Sequence, residues 1–277
     1  MRPAPLKAAL AALLLLSTAT PTLVQAQTAA PSALSPAQQK AADKQEAKDR
    51  KVVEKALRVT SLAQLEPMVP DLQKVVANAP ARWPMIDHQP GLTTIRLNDT
   101  SATLAVLMAV AVSAKGETGQ KAGKAVAVTN TYGMAAFLLG SLAVEKRQPE
   151  EALVWLERGL SFQPDNLMLV TEKGSAMILQ HRFAEAIAFY DAQPPLDFLA
   201  GLANPDAEAR ILRSRGFCLT ELNRLDEAEA AYVKSLELEP DHGGAKAELD
   251  YIRKLKAGGA KQQVDVYTGQ QAKDRKD

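Results

Sequence analysis

Three glycines and three alanines recur along this chain at one interval. Gly140 and Gly174 lie 34 residues apart, and so do Ala152 and Ala186. Gly216 and Ala228 follow at 42, which is 34 plus an insertion of eight. Pro164 and Pro240 are 76 apart, twice 34 plus the same eight. One insertion brings three independent series into register. A period of this length marks a supersecondary unit that cannot bury its apolar face alone, so copies must stack. Apolar residues between the markers keep helical spacing. Pro ends a helix because it cannot continue the hydrogen-bond ladder. Each unit reads as two antiparallel helices, with Gly and Ala at their closest crossing and a bulkier residue filling the gap to the next unit.

A 34-residue unit with Gly at position 8, Ala at 20, Leu or an aromatic at 24 and Pro at 32 resembles the tetratricopeptide repeat. The resemblance spans residues 133–242. Repeat one, 133–166, carries Gly140, Ala152, Leu156 and Pro164. Repeat two, 167–200, carries Gly174, Ala186 and Tyr190. Repeat three, 209–242, carries Gly216, Ala228, Tyr232 and Pro240. The implied fold is all-α, a right-handed α-solenoid of helix–turn–helix units behind an irregular N-terminal helical region. Repeat two lacks the terminal Pro, so its second helix should stop near Ala192, ahead of Pro194 and Pro195. The insertion 193–205 brings Leu196, Phe198, Leu199 and Leu202, suited to packing on the edge or to a binding loop. Asp241 offers a cap for a closing helix over 243–256, and residues 257–277 read as a disordered tail. Asp99–Tyr132 has the length of a degenerate fourth unit, although Val106 and Thr118 stand where small residues belong.

Upstream, Arg2 and Lys7 precede the apolar run Ala8–Leu16, and Val24-Gln25-Ala26 offers a cleavage site. Residues 1–26 read as a signal peptide, which places the mature chain in the periplasm of a Gram-negative bacterium. Its removal takes two cations from a formal charge of +1, leaving −1. That balance gives no footprint for nucleic acid or an anionic membrane. Residues 27–60 are a charged leader and helix, opened by Ser35-Pro36-Ala37-Gln38 as a capping box. The first half of that helix reads as solvated. Residues 61–132 form an N-terminal helical region, with short helices over 61–65 and 71–77 and one strand over 92–97. Residues 103–114 are too few to span a membrane and read as a buried helix. The stretch 115–124 fails the phosphate-loop spacing and reads as a helix–loop–helix connection.

The resemblance implies that first-helix positions 2, 5, 9, 12 and 13 line an inner groove. Repeat one supplies Met134, Phe137, Ser141, Val144 and Glu145. Repeat two supplies Met168, Thr171, Ser175, Ile178 and Leu179. Repeat three supplies Arg210, Arg213, Phe217, Thr220 and Glu221. This groove would be apolar at its first repeat and basic at its third, where Arg210 and Arg213 could pair with a partner's acidic group. The alternative is that residues 60–130 fold back over Met134, Phe137 and Met168. The two-carboxylate clamp of chaperone-binding members is not matched, because Phe137, Ser141 and Glu172 occupy its positions.

The expected activity is therefore protein binding, as a scaffold or adaptor for another envelope protein or peptide segment. The competing reading is a self-associating envelope protein that uses residues 35–57 as a coiled-coil arm. An enzyme with a site in 79–100 is the third. Catalysis is disfavoured: His181 and His242 read as turn residues, Asp87-His88 has no spaced partner for a metal, and Cys218 reads as a buried hydrophobe. No cofactor, metal or membrane span of the mature chain is expected, and a single cysteine allows no intrachain disulfide.

Overall fold

The computed structural model describes residues 35–80, 83, 86–89, 92–97, 124–164, 166–193 and 205–261. Residues 1–26, expected to be a signal peptide, the 103–114 run, most of the 193–205 insertion and the residues beyond 261 lie outside these residues. Helix α1 (Pro36–Ala56) begins as its capping box requires: the Gln38 amide donates to Ser35 Oγ at 3.4 Å, and the Ser35 amide donates to Gln38 Oε1 at 2.9 Å. A short α2 (Leu62–Leu65), a 3₁₀ turn (Glu66–Met68) and α3 (Val69–Ala77) follow, each Pro falling in a first turn.

A small sheet then interrupts the helices. Strand β1 (Ile86–Gln89) pairs antiparallel with β2 (Leu92–Leu97), the one strand legible in the sequence. Strand β3 (Lys124–Thr129) pairs parallel with β2, Leu92 opposite Lys124 and Leu97 opposite Thr129. The chain between these two strands, residues 98–123, lies outside the described residues. Two expectations are corrected here. Residues 124–129 are a strand, not the close of a helix in a fourth repeat, and the helical repeats carry a three-stranded sheet in front of them.

The repeats themselves are three helix pairs: α4 (Thr131–Glu145) with α5 (Pro149–Phe162), α6 (Leu167–Leu179) with α7 (Phe183–Asp191), and α8 (Pro205–Glu221) with α9 (Leu225–Leu238). A closing helix, α10, covers Gly243–Lys256. Its cap is His242, whose Nδ1 accepts from the Ala245 amide at 3.1 Å, rather than Asp241. The histidine wins because a side chain at the residue before the helix reaches the third amide, the usual capping geometry.

Each pair turns in the same way. Arg147, His181 and Asn223, all at position 15, sit at φ 55°, 57° and 59°. The next amide then reaches back five residues: Gln148 to Ala143 at 2.8 Å, Arg182 to Met177 at 3.0 Å, Arg224 to Leu219 at 2.8 Å. This is the Schellman closure of a helix, which glycine usually provides. A side chain in that conformation is strained. Arg147→Gly should therefore raise stability by about 0.5–1 kcal/mol, read as a higher urea midpoint.

Close packing explains the glycines, with one change to the expected geometry. A Cβ at Gly140 would stand 2.5 Å from Leu156, and one at Gly216 would stand 2.8 Å from the Tyr232 ring. At Gly174 a Cβ would overlap the Tyr190 hydroxyl. Position 24 thus lies on the glycine of its own unit, and Leu156, Tyr190 and Tyr232 are buried there. Gln163, also buried, joins successive units by accepting from Asn130 Nδ2 at 2.8 Å and Asn166 Nδ2 at 2.9 Å. Those asparagines cap α4 and α6, so one side chain sets the starts of two neighbouring first helices.

Candidate functional site

The first helices of the units, α4, α6 and α8, carry the residues expected to line the groove, and the structure sorts them. Met134, Val144, Thr171, Ile178 and Thr220 are buried. Thr171 and Thr220 spend their hydroxyls on the carbonyls of Leu167 (2.7 Å) and Gly216 (3.0 Å), four residues back. Ser175 does the same to Thr171 at 3.1 Å, but remains partly exposed. Phe137, Ser141, Glu145, Met168, Leu179, Phe217 and Glu221 are also half-buried. Phe217 meets Phe183 edge-on at 6.0 Å.

At the N-terminal end the alternative reading holds in part. Met134 shares one hydrophobic cluster with Val53, Leu65, Met68, Leu72 and Val75, and Phe137 packs against it. Helices α1 to α3 thus cover the first repeat, while Met168 lies outside that cluster. Val53 and Ala56 are consumed in this packing, which removes the apolar stripe a free coiled-coil arm would need.

The basic third repeat is revised. Arg213 Nη1 lies 2.6 Å from Glu239 Oε2, in a pair that is largely shielded from solvent. Arg210, half-exposed, approaches Glu172 Oε1 at 3.6 Å. Both arginines face carboxylates of their own chain, so neither stands as the uncommitted cation that was expected. Burial pushes the Glu172 carboxyl above the usual carboxylate range, Glu145 adds to the rise, and Arg210 opposes it without cancelling it. A carboxyl whose folded pKa is raised favours the fold below its unfolded pKa, and that contribution is lost as pH rises through the folded value. Glu172→Gln should therefore unfold at a higher temperature than the parent at pH 8. The difference should close by about pH 4, where the ordinary carboxylate is protonated in both states.

A second polar assembly sits under the sheet, and the sequence reading missed it. Arg96 of β2 is 2% exposed, lies 3.7 Å from both Glu46 Oε2 and Asp87 Oδ2, and covers the Trp83 ring at 3.8 Å. Tyr132 donates to Asp49 Oδ2 at 3.5 Å, and Asn78 Nδ2 donates to Asp49 Oδ1 at 3.1 Å. Burial, with the charges of Asp49 and Glu46, drives the Tyr132 phenol well above its ordinary pKa. The first half of α1 is solvated up to residue 45, and burial begins at its middle, with Glu46 and then Asp49. A signal existed, since 46, 49, 53 and 56 share one helical face and the polar pair continues the Val53–Ala56 stripe. Asp87, the acid of the suspected 79–100 site, serves this structural knot. The Cys218 thiol is fully buried and pushed up to about 12 by desolvation, which keeps it protonated and unreactive.

A sequence profile of the tetratricopeptide repeat matches residues 209–242, the third unit with its Gly216–Tyr232 stack. Residues 209–242 are a tetratricopeptide repeat. The two preceding units repeat the same turn and the same glycine packing. No curated protein matches the sequence. Among solved structures, the first TPR domain of the human RPAP3 protein is 26% identical, over 46% of this chain and 93% of that one, with a TM-score of 0.40. A mutant form of MamA is 17% identical, over 78% and 90% of the two chains, with a TM-score of 0.44. The second TPR domain of human RPAP3, in complex with an HSP70 peptide, is 25% identical over 42% and 89%, with a TM-score of 0.35. Among the described residues, no helix is long and apolar enough to cross a membrane.

Proposed function

We propose that this protein is an interaction scaffold that captures a segment of a partner protein on the face formed by its first helices. The observation that carries the reading is a run of partly accessible side chains on α4, α6 and α8: Ser141, Glu145, Met168, Ser175, Arg210 and Phe217. Aromatic, thioether and charged groups held on rigid helices suit adhesion to an extended segment. Binding is the chemistry that these residues support. The thiol is buried and protonated, and the described His, Cys, Asp and Glu side chains form no metal-holding group.

The compartment proposed is the periplasm, on the strength of Arg2, Lys7, the Ala8–Leu16 run and the small residues at 24–26. N-terminal sequencing of protein recovered from the periplasmic fraction should begin at Gln27, and an uncut chain in the cytoplasm would overturn this compartment. For the binding role, a photo-crosslinking residue placed at Ser141 or Ser175 should trap one discrete partner species in intact cells. The same residue at Val154 or Val233, exposed on the second helices, should not. Equal labelling from both faces would sink the reading.

A further inference from the structure

The closing helix leaves the stack differently from the helices it resembles. Counted in the 34-residue period, α10 holds the place of a fourth first helix, with Ala245, Leu249 and Ile252 buried at positions 3, 7 and 10. In the three units before it, the residue at position 15 takes the positive φ, and the amide of position 16 reaches back to position 11. In α10 both features come one residue later. Gly258, at position 16, has φ 89°, which glycine adopts without strain. The Gly259 amide then donates to the Lys254 carbonyl at 2.9 Å. One further helical residue rotates the exit by about 100°. The chain is therefore turned away from the path that leads each earlier unit into its second helix.

Lys261 marks the new direction. Its ammonium lies 2.9 Å from Glu221 Oε2 and donates to the Glu221 carbonyl, also at 2.9 Å. Glu221 is the last residue of α8 and stands at inner-face position 13. A helix's final carbonyl and a carboxylate beside it are a favourable seat for a cation. From the end of α10 the chain thus runs back onto the preceding first helix. Leu179 and Glu145, both half-buried, hold position 13 on α6 and α4, so the same row continues past Glu221. Sixteen residues follow Lys261 in the sequence. Extended, they reach about 50 Å. Helices pack about 9–10 Å apart, so the row from α8 to α4 is roughly 20 Å long.

We propose that residues 262–277 occupy the inner face of their own chain, tethered at Glu221 by Lys261, and that a partner segment gains the face by displacing them. This rests on the scaffold reading and adds its regulation. Val264 is three residues past the tether, about 10 Å of extended chain and about one helix spacing, which sets it against Leu179. Val266 and Tyr267 follow as further apolar groups for the same face. An internal segment on so short a linker acts at high effective concentration, so it holds the face against weak partners. The Lys261 side chain is 42% exposed, so salt screens the tether and a strong partner can break it.

The test uses the full chain with cysteines added in pairs. Cys218 is buried and protonated, so it stays out of the exchange. Val264→Cys with Leu179→Cys should form an intramolecular disulfide under mild oxidation, read by mass spectrometry of peptides. Val264→Cys with Ser175→Cys is the second inner pair, should the first fold poorly. Val264→Cys with Val233→Cys, on the outer face, should stay reduced. Lys261→Glu sets two acids against each other at the tether and should lower the inner-pair yield about fivefold. Equal yields from inner and outer pairs, absence of the inner disulfide, or a yield indifferent to Lys261→Glu overturns the proposal. A disulfide between two chains also overturns it, because the occupant is then a second copy. If crosslinking from Ser141 still traps a partner while the inner pairs stay reduced, this inference falls and the scaffold reading stands.

Discussion

Replacing Arg96 by Ala will lower the unfolding free energy by about 3 kcal/mol: the buried Glu46 keeps only Arg50, 2.8 Å away on its own helix, and the stack on Trp83 is lost. The side chain is 2% exposed, and Glu46 and Asp87 lie on either side of it at 3.7 Å each. Those distances are long for hydrogen bonds, so the contribution is mainly Coulombic, in a setting where water cannot screen it. The guanidinium also lies on the Trp83 ring at 3.8 Å, an attraction strengthened by desolvation. Arg96→Lys should fall between, since it keeps the charge and loses the flat stacking. Glu46→Gln should hurt the parent but recover part of the loss in the Arg96→Ala background, because it removes a buried charge that Arg50 alone then offsets. Urea titration of the four proteins completes the cycle. A loss under about 1 kcal/mol for Arg96→Ala would show that the knot is hydrated rather than buried.

Gly174→Val will cost about 3 kcal/mol or more. Two effects compete. Removing glycine from a helix interior is worth at most about 1 kcal/mol, and less with a β-branched replacement. Against this, even the first added carbon would overlap the Tyr190 hydroxyl. Val brings three carbons into that space. Either the helices separate or the ring leaves a site where it is now 5% exposed, and both outcomes uncover core. Gly243→Val is the control, because nothing lies within 4 Å of a Cβ there. It should be nearly neutral. Equal effects at the two positions would remove the packing explanation for the repeat's glycine.

How much of this was legible beforehand varied with the range of the interaction. The Ser35–Gln38 capping box was, because it is closed within four residues. Helix α7 ends at Asp191, close to the stop anticipated before Pro194-Pro195. Strand β2 was visible from its β-branched composition, but β3 was not. Lys124–Thr129 alternates Ala with Val, and both are apolar, so period 2 leaves no contrast to read. Its pairing partner lies some thirty residues upstream. The inner face was legible as positions and not as chemistry. Arg210 and Arg213 look like uncommitted cations in the sequence, yet their carboxylates arrive from α6 and from the residue after α9. Glu172 entered the sequence reading only as a mismatch to a clamp.

What the sequence by itself determined is the repeat: its 34-residue period, its helix pairs, and where Gly, Ala and Pro must stand. Those follow from sterics and hydrogen bonding inside one unit, which any copy of the motif must satisfy. Only the tertiary structure decided which charges meet. It placed Arg96 between acids from α1 and β1 and turned Arg213 to Glu239. Charge has no period in this chain. Its effect depends on burial and on neighbours distant in sequence, and both exist only once the units have stacked.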